Sequence, residues 1–215
     1  MAVSFINAGA AAGTTVTIPS GHQAGDLLLM WAFDATATTI ATVPSGWTSL
    51  GSGTGTLCAG LIGWRVAGSS AETSGTWTSA THLVCNVYRG QATNKTPVST
   101  PSQQTGTGTS VSYSGVAPMK APGTSWLAFF AGISTSDTAL ESPPTGTTNR
   151  ADVASSGEVA SFDTNGAVFT YTFNSVAAGG TSGNWITRPV EIFAEMKLLR
   201  NSGLRPHPFS PGLAR

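Results

Sequence analysis

One pattern occurs twice in this chain, about one hundred residues apart, and it restricts the fold more than any other feature. In the first half, Gly25-Asp26-Leu27-Leu28-Leu29-Met30-Trp31-Ala32-Phe33 leads to Pro44-Ser45-Gly46-Trp47-Thr48. In the second, Gly123-Thr124-Ser125-Trp126-Leu127-Ala128-Phe129-Phe130-Ala131 leads to Pro144-Thr145-Gly146-Thr147-Thr148. Each half then supplies a strand-like run (Leu57 to Val66; Glu158 to Phe162) and a Thr/aromatic alternation (Thr76-Trp77-Thr78; Phe169 to Phe173). Each closes on an apolar strand, His82 to Tyr88 in the first and Val190 to Met196 in the second. Helical periodicity is nearly absent, and Gly, Ser, Thr and Pro interrupt the chain at roughly 8–12-residue intervals, the spacing of a sandwich or barrel. The expectation is an all-β, antiparallel β-sandwich, jelly-roll-like, built from two similar halves at 1–90 and 109–199. An extended, Pro-rich basic C-terminal arm over 200–215 completes it.

Strands are expected over Val3–Asn7, Thr14–Ile18, Asp26–Phe33, Thr48–Gly51, Thr56–Val66, Thr73–Thr78 and His82–Tyr88. In the second half they are expected over Thr109–Ser114, Ser125–Ile133, Gly157–Asp163, Ala167–Phe173 and Arg188–Leu199. Leu27 to Met30 and Trp126 to Ala131 are unbroken apolar runs, so both faces of those strands must be covered. Gly90 to Gly108, with its low-complexity Thr105-Gly106-Thr107-Gly108, reads as a surface connection. Gly179 to Gly183 reads as a flexible loop.

Only 9% of residues are charged, against about 25% in an average protein. Thr (31) and Ser (25) supply the polar surface instead. A hydroxyl-rich surface of this kind suits close packing against other proteins, including further copies of the chain. The zero net charge is unevenly spread. Residues 1–196 carry six basic and ten acidic groups, whereas residues 197–215 carry Lys197, Arg200, Arg205 and Arg215 without an acid. Four cations interrupted by Pro206, Pro208 and Pro211 are too sparse for a nucleic-acid footprint, and they suit an acidic protein neighbour. Lys197, Arg200, Arg205 and Arg215, with Phe209 and Leu213 as apolar anchors, are therefore the expected partner-docking residues.

No apolar run approaches the ~20 residues that span a bilayer. The start, Met1-Ala2-Val3-Ser4-Phe5, has neither a basic nor a long apolar region, so it does not read as a signal peptide and synthesis in a cytoplasm is expected. Cys58 and Cys85 lie in apolar runs without CxxC spacing and read as small buried hydrophobes, unless their strands are neighbours and allow a disulfide.

The residues of catalysis are poorly arranged. No Gly-x-Ser-x-Gly occurs, and His22, His82 and His207 fall in a turn, an apolar strand and the arm. Glu191 and Glu195 would share a face of a regular strand, but no acid on a second strand pairs with them as glycoside hydrolysis requires. Asp26, Asp34, Asp137, Asp152 and Asp163 stand apart from one another, unlike calcium loops, and no Gly-rich loop runs into Lys-Ser/Thr and a helix. The chain is expected to be no enzyme and to hold no metal or cofactor. Of six tryptophans, Trp31, Trp64 and Trp126 read as core. Trp47, Trp77 and Trp185 are the candidates for a glycan-stacking platform.

Gly25-Asp26-Leu27-Leu28-Leu29-Met30, Pro44-Ser45-Gly46-Trp47-Thr48, Ile62-Gly63-Trp64-Arg65-Val66-Ala67 and Val87-Tyr88-Arg89-Gly90 occur in that order. This succession resembles a family of β-sandwich proteins from tailed bacteriophages, clearly over residues 20–90 and through the repeat in the second half. The resemblance implies a virion structural component of head-decoration, tail-fibre or minor-tail type, with capsid, portal-adaptor or tail subunits as partners, located in the virion. It carries no catalytic residues to transfer. The absence of heptads or a fibrous repeat favours a head decoration or head-fibre protein, with a tail-fibre protein recognising host surface glycans as the alternative.

Overall fold

The computed structural model describes residues 2–100, 103–116, 119–136, 140, 143–171, 174–177 and 181–195. These form strands and loops, with no α-helix among the described residues. Strands β1 (Ser4–Ala12), β2 (Leu27–Asp34), β3 (Thr48–Thr54), β4 (Ala59–Val66) and β5 (His82–Arg89) make one antiparallel sheet in the order β1-β5-β2-β4-β3. The second sheet uses β6 (Val98–Ser99), β7 (Gln104–Gly108), β9 (Trp126–Ile133), β10 (Thr148–Ala154), β11 (Glu158–Asp163) and β13 (Gly183–Ile192). Its order is β10-β11-β9-β13, with β6 and β7 both on the outer edge of β13. A two-stranded ribbon pairs β8 (Ser110–Tyr113) with β12 (Asn174–Ala177).

The expected antiparallel sandwich is present. The wiring departs from a jelly roll, whose strands alternate between the two sheets; here each sheet is drawn from its own continuous stretch of chain. The central strands follow one lateral order in both, β5-β2-β4-β3 in the first and β13-β9-β11-β10 in the second. Pro44-Ser45-Gly46-Trp47 and Pro144-Thr145-Gly146-Thr147 also close in the same way. The Trp47 and Thr147 amides donate to the Pro44 and Pro144 carbonyls. Gly46 and Gly146 have φ of 84° and 82°, a region in which a Cβ is strained.

Apolar side chains fill three layers. Between the sheets, Leu27, Leu29, Trp31 and Phe33 of β2 meet Trp126, Ala128 and Phe130 of β9 and Ile186, Val190 and Ile192 of β13. The other face of the first sheet (Leu28, Met30, Leu61, Leu83, Cys85) is covered by Val16, Ile18, Ala41, Trp47 and Trp77. The other face of the second (Leu127, Phe129, Ala131, Phe162) is covered by Val111, Tyr113, Val116, Met119 and Leu140. Every residue of β2 and β9 is buried, as their unbroken apolar runs require.

Topology explains the outer covers. Antiparallel pairing of β2 with β4 and of β4 with β3 makes β2 and β3 parallel, so the 35–47 connection must cross over β4. By the same reasoning the 67–81 connection crosses β2, which pairs antiparallel with β5. These crossings bring Ala41, Trp47, Ala67, Trp77 and Ala80 onto the sheet. Three stretches expected as strands serve as such covers. Thr14–Ile18, Thr73–Thr78 and the described part of Ala167–Phe173 lay apolar side chains on the sheets but join no ladder, apart from one isolated bridge at Tyr171.

Conversely, Gln104–Gly108 and Gly183 lie in strands where loops were expected, and β10 was not anticipated. Pro189 sits in the middle of β13 but opposite the gap between β6 and β7, where a missing N–H is tolerated.

Cys58 and Cys85 are both buried and free. They belong to the central and the outer apolar layers, on opposite faces of one sheet, which forbids the disulfide.

Aromatic packing prescribes particular glycines. A Cβ on Gly63 would lie 2.4 Å from the Trp77 ring. Gly63→Ala is therefore expected to destabilise the fold by about 1–3 kcal/mol through overpacking, read as a lowered midpoint in thermal or denaturant unfolding. An unchanged midpoint would mean that Trp77 is loosely held.

Candidate functional site

The expected docking residues Lys197, Arg200, Arg205, Phe209, Leu213 and Arg215 lie outside the described residues. The candidate glycan platform does not form. Trp47, Trp77 and Trp185 are 8%, 0% and 6% exposed, so none offers a ring face to a sugar. Trp77 is locked by its indole N–H donating to the Ser74 carbonyl at 3.0 Å and meets Trp47 edge-on. Trp185 lies on β13, its ring over Gly106. The Thr/Trp alternation that suggested exposure at Trp77 belongs to an outer cover, and Trp185 lies within a sheet strand.

Glu191 and Glu195 do not form a carboxylate pair for hydrolysis. β13 ends at Ile192, and each acid turns to a different loop. Buried Glu191 accepts from the Lys120 and Ala121 amides at 3.0 and 2.9 Å and from the Ser125 hydroxyl at 2.8 Å. Glu195 accepts from the amide and hydroxyl of Thr93.

The sequence strings of the first half meet one another in space. Asp26, 1% exposed, heads the apolar β2, and a carboxylate there requires a cation. Arg89 at the end of β5 supplies it through two bonds of 2.7 Å, while the Gln23 amide donates to the same carboxylate. The bond to Asp26 holds the Arg89 guanidinium above its usual pKa. Arg65 of β4 lies 5.7 Å from the Trp47 ring centroid and pairs with Glu72. Tyr88 donates to Asp163 of the second sheet and accepts from Asn86, and Arg150 grips the same carboxylate at 2.7 Å. Burial, then the charge of Asp163, pushes the Tyr88 phenol well above its normal pKa.

Beside the Asp26–Arg89 pair lies a cleft of about 390 Å³ bounded by Gln23, Asp26, Arg89, Gln91, Thr93 and Glu195. Gln91 is 3% exposed. Its Nε2 donates to the Gly25 carbonyl at 2.6 Å, and its Oε1 has no partner. Sequence reasoning did not find this cleft. The one available signal was a lone acid before an apolar strand, facing an arginine after another.

Buried His82 joins the sheets. Its Nε2 lies 2.7 Å from the hydroxyl of Ser155, in the β10–β11 turn, and its Nδ1 lies 2.8 Å from Thr81 Oγ1. Nucleophilic triads place a carboxylate where Thr81 stands, and the contact acts as a clamp between sheets. Comparison with family models, curated proteins and solved structures gives no match.

Two outcomes are expected. Arg89→Ala strands a buried carboxylate and should cost about 2–3 kcal/mol, less than a wholly buried pair because Arg89 is partly solvated; denaturant unfolding measures it. Burial lowers the His82 pKa from 6.5, against a smaller opposing pull from Gly157. The folded state thus binds fewer protons than the unfolded one, so stability is present above the unfolded value and falls as pH drops below about 6.5. Melting between roughly pH 7.5 and 5.5 should show this decline, and His82→Gln should flatten it.

Proposed function

We propose that this chain is a non-enzymatic structural protein of a tailed-bacteriophage virion, a head decoration or head-fibre protein assembled in the host cytoplasm. On this reading the arm fastens it to capsid, portal-adaptor or tail subunits. The observation that carries the reading is the mutual contact of the motif residues. Asp26 with Arg89 and Arg65 with Trp47 bind the strings of the resemblance into one framework. Residues that one architecture needs together are what a family defined by structural duty would share.

The charge division supports attachment through the arm, since the body is acidic and residues 197–215 are wholly basic among their charged groups. The common strand order of the two sheets supports two similar halves. Several copies per particle are part of the proposal, because a low-charge, hydroxyl-rich exterior costs little to desolvate against its own kind. Glycan recognition by a tail-fibre protein, the alternative, loses its tryptophan platform.

The test is mass spectrometry of purified particles, with the full chain and with residues 201–215 deleted. The full chain is expected in the virion at a fixed copy number. The truncated chain should fold, because the strand pattern ends before residue 201, and should be missing from particles. Raised salt should release the intact protein by screening the arm. Truncated protein retained at normal copy number would place the docking surface on the body, and absence of the full chain from virions would remove the reading.

A further inference from the structure

We propose that the cleft beside Asp26 and Arg89 is a binding site for a neutral sugar. The inference revives glycan recognition at residues other than the tryptophans, and it stands independently of the virion proposal.

The first observation is the Gln91 side chain. It is almost wholly buried at the cleft, its amide nitrogen is committed to Gly25, and its amide oxygen lacks a donor. An unpaired buried acceptor is costly, and the cost is recovered when a ligand brings a donor. The second observation is the mixture of chemistry around it. Arg89 keeps N–H groups beyond those bonded to Asp26 and Gly21, while Gln91 Oε1 and the Glu195 carboxylate contribute acceptors.

This mixture discriminates among ligand classes. An anion would face the Asp26 and Glu195 carboxylates. A cation would face Arg89, and the carboxylates already hold partners in Arg89, the Gln23 amide and Thr93. A metal ion lacks a ligand set, since no group of three His, Cys, Asp or Glu side chains gathers among the described residues. An apolar ligand would leave Gln91 Oε1 unpaired. A sugar hydroxyl donates and accepts at once, so adjacent hydroxyls can satisfy Gln91 and Arg89 together. The volume of about 390 Å³ lies within the range of small-molecule sites. Positioning is rigid, because the Asp26–Arg89 pair ties the turn before β2 to the end of β5.

The test is saturation-transfer NMR of the full chain with galactose, glucose, N-acetylglucosamine and rhamnose, titrated to tens of millimolar. At least one sugar is expected to bind saturably. Gln91→Leu, which removes the acceptor while keeping an apolar stem, should weaken it about tenfold or more. Glu72→Gln, in the separate groove lined by Thr15 to Ile18 and Thr73 to Thr76, should leave binding unchanged. Should Gln91→Leu fail to fold, Glu195→Gln replaces it, with weaker binding again expected. Two results overturn the proposal: no saturable binding by any of the four sugars, or binding that a folded cleft variant leaves unaltered. Either would leave the virion proposal intact, because that proposal is read from particle composition.

Discussion

Two strands that are apolar on both faces govern this molecule. β2 and β9 bury every side chain, so a sheet built around either has two faces to withdraw from water. Packing the sheets together settles one face of each. The other needs a cover, and with no α-helix among the described residues it comes from the connecting segments and, over the second sheet, also from β8. The crossing connections meet that need, and their length follows from the strand order, since a strand placed two positions away can be reached only over its neighbour. Trp47 and Trp77 are the largest contributions from these loops. Their burial follows from the composition of Leu28 and Met30, on a strand far away in sequence.

Polar residues are fixed by the same geometry. Where an apolar strand begins, its first residues lie near loops that need anchoring, and a buried carboxylate can accept several donors at once. Asp26 does this for the turn before β2. Glu191 does it for the loop before β9, though it comes from the neighbouring strand β13. The same structural demand is thus met from two sides, which is why the repeat is visible in the apolar residues and obscured in the acids. Between the sheets, Asn86, Tyr88, Asp163 and Arg150 form a chain of bonds whose members are mutually satisfied. Such a chain fixes the register of one sheet on the other more sharply than apolar contact can.

The class of fold and its central strands were legible because hydrophobic run length and turn residues are local signals. Strand membership at the edges was not. Thr14–Ile18 and β7 are both short, Thr-rich and extended; only the second finds a partner strand, and pairing is a property of the whole fold. The cleft was hidden for a related reason. Asp26, Gln91 and Glu195 are separated by up to 169 positions, and no spacing rule links them. Trp185 was misjudged because its neighbouring glycines read as a loop, whereas Gly106 and Gly183 are small to admit a ring and a packed strand.

The division of the sheets along the chain carries a consequence for synthesis. Everything in the first sheet has been made once Arg89 emerges, but the face that will meet the second sheet, with Trp31, Phe33 and Tyr88, is not fully covered until β13 is complete at Ile192. A ribosome adding roughly 5–20 residues per second needs about 5–20 s for that interval. During it a nascent chain presents a broad sticky surface. Whatever shields that surface, a chaperone or a transient collapse, must act before the final stability of the fold exists to protect the chain.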